Sequence, residues 1–214
     1  MVWLYLTLGG AVLVVAGWYL WARRAAARAA AAAKKRVHDL VTEDVAHLGA
    51  ELEALTEAKE DPHYAQARRA YELAQGALAR SQEIETVAEA VAEGNYEVAW
   101  IRARRDGRRL PEERVPCFFD PRHGPSSGDV PWTQPGGARR RVPACPDDAQ
   151  QISAGAEPAV RKVEYDGLQV PYWEAATDAY GRAYFAGHEQ ALAVFATAPR
   201  TRSLERVESR KPGR

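Results

Sequence analysis

Apolar residues change their spacing several times along this 214-residue chain, and each change predicts a different element. Residues 2–22, VWLYLTLGGAVLVVAGWYLWA, hold no charge at 21 consecutive positions. A helix of that length covers about 30 Å, the hydrocarbon thickness of a bilayer. Trp3 and Tyr5 mark one edge, and Trp18, Tyr19 and Trp21 the other, where amphipathic rings favour a membrane interface. The pattern predicts a transmembrane helix over 1–22. A cleaved signal peptide is the alternative. It fits less well, because no basic region precedes the apolar run and the run is longer than a signal core.

From Ala25 to Lys35 the chain is almost only Ala, Arg and Lys, all strong helix formers, so the helix is expected to continue. Val41, Val45, Leu48, Leu52 and Leu55 then follow at spacings of 4, 3, 4 and 3, a two-helix or self-association seam. Asp61-Pro62 reads as an N-cap and first helical position. Tyr64, Ala67, Tyr71, Ala74 and Leu78 form the next stripe, and Ile84, Val87, Val91 and Val98 continue it after a phase slip. Gly94-Asn95 is expected to break this helix before it ends near Arg105. The resulting division is a basic juxtamembrane and first stalk helix over 23–60 and a second stalk helix over 61–108. The two pair as a helical hairpin or as an intermolecular coiled coil. His38, His47 and His63 read as solvated or partly packed positions.

Beyond Gly107 the helical period gives way to Pro, Gly and short apolar runs. RVPCFF and RRRVPAC read as strands, DPRHGPSSGD as a turn and loop, and 121–139 as a loop only partly ordered. PDDAQQISAG reads as a short helix ending at Gly155, with Pro146 in its first turn and Asp147 and Asp148 beside its N-terminus. VRKVEYDGLQVPYW predicts a hairpin around Asp166-Gly167. The stretch that follows is helical or broken helical, with Tyr180, Tyr184 and Phe185 in the core. The fold class is therefore α+β. A small module over 109–198, laid out like a degenerate treble clef or zinc ribbon, carries a β-hairpin and a C-terminal helix. Residues 199–214 read as a charged, flexible tail.

Charge adds orientation. The formal net charge is zero, from 29 basic and 29 acidic side chains, which gives no support to nucleic-acid binding. Arg23, Arg24, Arg28, Lys34, Lys35 and Arg36 cluster after the apolar run and predict a cytoplasmic flank. The expected location is thus the cell membrane, single-pass, with the N-terminus outside and the rest cytoplasmic. Two cysteines exclude a disulfide-rich fold, and a reducing compartment disfavours pairing them.

Chemistry concentrates at VPCFFDPRHGP and VPACPDDA. Both read Val-Pro, then Cys, then Asp three residues on. Two such knuckles could offer Cys117, Asp120, Cys145 and Asp148 to one zinc ion, with His123 a nearby substitute, although paired Cys-x2-Cys is the usual set. The favoured reading is a knuckle-shaped core whose cysteines pack without metal and without any cofactor, since Asp also caps turns and helices. Cys117 with His123, or Ser126 with His123 and Asp120, has the residue types of a nucleophile and base. No elbow or oxyanion loop surrounds them, so an enzyme is the less favoured reading.

CFFDPRHGP, VPW at 130–132, RRVPACPDDAQQISAG and VPYWEA at 170–175 together resemble an uncharacterised family of membrane-anchored actinobacterial proteins. The resemblance implies a membrane segment, a helical stalk and a Cys-bearing module, with a second Cys in some relatives where Asp148 stands. It implies no activity. The leading expectation is a single-pass membrane protein presenting a cytoplasmic α+β module to a protein partner, or self-associating through its stalk. The alternative is a membrane-tethered zinc-binding or hydrolytic domain.

Overall fold

The computed structural model describes residues 2–80 and 83–198, with side chains from residue 13 onward; the expected tail at 199–214 lies outside them. The chain divides into two units, Met1–Arg36 and Val37–Arg214. The long helix α1, Val2–Ala54, begins in the first. Among the described residues no helix is long and apolar enough to cross a membrane. Helix α1 runs on through Arg23 and Arg24 without a break, so the apolar run is not a separate element. The side chains of 1–12, within the expected span, lie outside the description. The transmembrane helix is therefore corrected. The membrane-anchored role, the membrane partner and the cell-membrane location, which all rested on it, fall with it.

In the second unit, α1 meets α2, Pro62–Ala79, and α3, Ile84–Arg105. Asp61 caps α2 by accepting the His63 N–H at 2.9 Å, with Pro62 at the first position, where its missing N–H costs nothing. Arg102, Arg104 and Arg105 occupy the last turn of α3, facing the negative end of its dipole. The seam Val41, Val45, Leu48, Leu52 and Leu55 is wholly buried within the chain. Its lower half packs with Tyr64, Ala67, Val98 and Ile101. Such a seam is not a stalk surface left open for self-association. Helix α3 does not break at Gly94-Asn95. A Cβ on Gly94 would stand 2.4 Å from Leu48 Cδ2, so this glycine serves the close approach of α1 to α3.

The upper seam shares one core with the rest of the unit. Val41, Val87 and Val91 belong to the same buried cluster as Phe118, Phe119, Val142, Tyr172, Phe185 and Phe195. Each buried Phe contributes about 1.5–3 kcal/mol of apolar transfer, so the knuckle sequence Cys117-Phe118-Phe119 is fastened chiefly by its two rings. A polar staple crosses this core. Asp44 of α1, fully buried, accepts bonds from Arg161 and from the hydroxyls of Tyr180 at 2.7 Å and Tyr184 at 2.9 Å. Arg161 also donates to Leu40 O and Glu43, which satisfies both ends of a charge pair that would otherwise be costly to bury.

Residues 115–126 form a narrow loop rather than the expected strand. Ser126 N–H bonds Val115 O at 2.9 Å and Cys117 N–H bonds Gly124 O at 3.0 Å. Pro116 and Pro125 face each other between these bonds and have no N–H to extend a ladder. A short 3-10 turn, Pro121–His123, lies inside the loop. The antiparallel hairpin β1, Gly128–Thr133, and β2, Arg139–Ala144, follows, pairing Val130 with Val142 and Trp132 with Arg140. Most of the segment expected to be loosely ordered is thus a capped turn and a strand. Helix α4, Pro146–Ser153, starts where β2 stops. A second hairpin, β3, Lys162–Tyr165, and β4, Leu168–Pro171, turns on Asp166 and Gly167, both at positive φ as a type I′ turn requires. Helices α5, Asp178–Phe185, and α6, Glu189–Thr197, complete an α+β fold with two small two-stranded sheets.

Candidate metal centre

Three short elements bring four donors together. Cys117 enters from the first arm of the 115–126 loop, held by its bond to Gly124 O and by Phe118 N–H to Pro143 O at 2.8 Å. His123 ends the 3-10 turn, and Gly124, at φ 84°, reverses the chain behind it in a conformation that glycine tolerates. Cys145 caps α4, and Asp148 sits one turn into that helix with its N–H on Cys145 Sγ at 3.4 Å. The donor atoms of Cys117, His123, Cys145 and Asp148 all lie within 4.8 Å of one another, a grouping that could hold a metal ion.

Individual distances sharpen this. Asp148 Oδ2 stands 3.1 Å from Cys117 Sγ, 3.3 Å from Cys145 Sγ and 2.9 Å from His123 Nδ1; Cys145 Sγ to His123 Nδ1 is 3.9 Å. A tetrahedral zinc ion with sulfur at about 2.3 Å and nitrogen or oxygen at about 2.0 Å separates its donors by about 3.3–3.8 Å. Adjusting each of these pairs by about 0.4 Å would reach that geometry. The other carboxylate oxygen, Asp148 Oδ1, accepts the Ala159 N–H at 3.0 Å, which fixes the orientation of the group.

Asp120 stands elsewhere. Its carboxylate caps the 3-10 turn through Arg122 N–H at 3.0 Å and grips the Arg122 guanidinium, with the shortest contact at 2.6 Å. Burial works to raise its carboxyl, but Arg122 outweighs burial and holds it below the usual range. Of the four residues read from the repeated Cys-x2-Asp pattern, the structure therefore groups Cys117, Cys145 and Asp148. His123, the substitute, takes the remaining corner. The Asp-Pro pair at 120–121 signals a capped turn, a role that occupies Asp120 and delivers His123 instead.

The four groups divide into two proton holders, His123 and Cys117, and two anions, Cys145 and Asp148. Bonding to Asp148 and then to Cys145 raises His123 to about 10. Bonding from the Cys117 thiol, then from His123, lowers Cys145 to about 6. Burial, followed by its bond to Cys145, pushes Cys117 up. Burial also works to raise Asp148, yet the bonds from His123, Cys117 and Ala159 hold it at about 2. A catalytic triad arranges such groups differently, with the two imidazole nitrogens facing separate partners. Here the same nitrogen, Nδ1, faces both Asp148 and Cys145. The Ser126, His123 and Asp120 combination is not assembled either. Ser126 Oγ has no hydrogen-bond partner among the described residues, and Asp120 is held by Arg122.

A cleft of about 690 Å³ opens beside the centre, lined by His123, Cys145 and Asp148 and by Asn95 and Val98 of α3. Cys117 is not among its lining residues. No family model, no curated protein and no solved structure matches this chain, so the centre is judged on its own geometry.

Proposed function

We propose that this chain is a zinc-binding α+β domain in which Cys117, His123, Cys145 and Asp148 hold one zinc ion. The observation that carries the reading is the convergence of two sulfurs, one imidazole nitrogen and one carboxylate oxygen within 4.8 Å, with a single nitrogen of His123 serving two neighbours. Two thiolates with two harder donors in a tetrahedral arrangement favour zinc over magnesium or calcium, which prefer six or more oxygens.

The role is structural. Four protein donors fill a tetrahedron and leave no position for a water molecule, the requirement of a hydrolytic zinc site. The ion would tie the 115–126 loop to the first turn of α4, across a loop of polypeptide that contains the whole β1–β2 hairpin. The test is elemental analysis of the full chain purified under mild reducing conditions, together with cobalt substitution. One zinc per chain and the sulfur-to-cobalt charge-transfer bands of a tetrahedral two-thiolate site are expected. A chain that binds neither ion overturns the proposal.

A further inference from the structure

Both cysteines of this centre are buried, but only Cys145 reaches the wall of the neighbouring cleft. Cys145 lines the 690 Å³ cleft together with His123 and Asp148. Cys117 lies behind it, with no exposed surface, sealed by Phe118 and Phe119 in the core. Both are free thiols, and the chain has no other cysteine. Their sulfurs lie within 4.8 Å, so forming a bond of about 2.0 Å asks them to close by less than about 3 Å.

The geometry points to an oxidisable dithiol in which Cys145 is attacked first, Cys117 resolves it, and closure of the pair opens the metal centre. The last clause rests on the zinc reading above. The oxidant is a peroxide, small enough to enter the cleft. The Cys145 thiolate attacks one peroxide oxygen; the O–O bond breaks, a sulfenic acid forms on Cys145 and hydroxide leaves to become water. The Cys117 thiolate then attacks the Cys145 sulfur. The S–S bond forms, the S–O bond breaks and a second hydroxide leaves as water. The sulfurs give up two electrons in all and the peroxide takes both. Zinc keeps its charge and is left with His123 and Asp148 alone, too few ligands to retain it. The fold survives the exchange, because a covalent link then joins the loop to α4 where the metal had joined them.

The experiment treats the zinc-loaded full chain with hydrogen peroxide. It follows zinc release with a chromophoric chelator and the sulfur state by intact mass and peptide mapping. One zinc released per chain, a loss of two hydrogens, a mapped Cys117–Cys145 link and recovery of binding after a thiol reductant are expected. Cys117→Ser should accumulate a sulfenic acid on Cys145 that a cyclic 1,3-dione traps, whereas Cys145→Ser should leave Cys117 unoxidised. Irreversible oxidation of Cys145 without the link overturns the inference, as does retention of both thiols in excess peroxide. Zinc content is measured before oxidation, and a metal-free chain is oxidised in parallel. A chain that never binds zinc yet forms the link defeats the zinc reading and supports the dithiol. A zinc-loaded chain that resists does the reverse.

Discussion

Removing Arg161 tests how the core tolerates the charge it encloses. Asp44 is fully buried, and burial pushes its carboxyl up while Arg161 and the hydroxyls of Tyr180 and Tyr184 pull it down; burial outweighs them. Arg161→Met keeps the length and apolar stem of the side chain but deletes the positive charge. It also removes the bonds to Leu40 O and Glu43. Stranding one member of a buried pair costs about 3–5 kcal/mol. The carboxyl escapes part of that cost by taking up a proton, and without Arg161 its folded value moves further above the unfolded one. For a carboxyl raised on folding, the folded state binds more protons than the unfolded state. Stability is therefore greatest below the unfolded value near pH 4 and is lost as pH rises towards the folded value. Relative to the parent, the variant should lose up to about 1.4 kcal/mol for each pH unit between the parent's folded value and its own higher one. Urea unfolding of both proteins at pH 5 and pH 7 measures this. A deficit of about 3 kcal/mol or more at pH 7 that shrinks clearly at pH 5 is expected. A deficit under about 1 kcal/mol at both values would show that the staple is a surface-like pair and refute the reasoning.

Gly94→Ala places a methyl against Leu48 and should lower stability by about 1–3 kcal/mol, seen as a lower melting temperature. If helix propensity alone governed that position, the substitution would stabilise by up to about 1 kcal/mol, so the sign decides. Asp120→Asn should leave zinc affinity within a few-fold, because Asp120 holds Arg122, while Asp148→Asn should weaken it strongly. Competition with a chelator of known affinity ranks the two, and equal losses would return Asp120 to the ligand set. Zinc binding near neutral pH should release about two protons, one from the Cys117 thiol and one from the His123 imidazolium, which is held at about 10. Cys145, at about 6, and Asp148, at about 2, are already charged there. Calorimetry in buffers of different ionisation enthalpy counts these protons, and a buffer-independent heat would contradict the assignment.

Local features were legible where one residue's chemistry suffices. Asp61-Pro62, Cys145-Pro146 and Asp166-Gly167 mark a helix start, a second helix start and a hairpin turn, and each stands where its chemistry places it. The heptad-like seam was legible as a buried stripe, but its partners were not. A 4-3 spacing reports that a face is covered and says nothing of whether the cover comes from the same chain. Gly94 reads as a breaker in isolation, because its use depends on Leu48, which is 46 residues away. The staple of Asp44 with Arg161 and two tyrosines was invisible for the same reason: nothing local marks a charge that pairs across 117 residues. Of the repeated Cys-x2-Asp pattern, Cys117, Cys145 and Asp148 stand together with His123, while Asp120 stands apart on Arg122. Sequence symmetry favoured Asp120, whereas turn chemistry consumes Asp120 and presents His123. The apolar run at 1–22 reads as a complete span in isolation, whereas among the described residues no helix is long and apolar enough to cross a membrane.

X-ray absorption at the zinc edge of the metal-loaded full chain tests the central claim most directly. Two sulfur neighbours at about 2.3 Å and two nitrogen or oxygen neighbours at about 2.0 Å are predicted. A shell of nitrogen and oxygen alone would place the ion on surface carboxylates and histidines, and would contradict the centre built from Cys117, His123, Cys145 and Asp148.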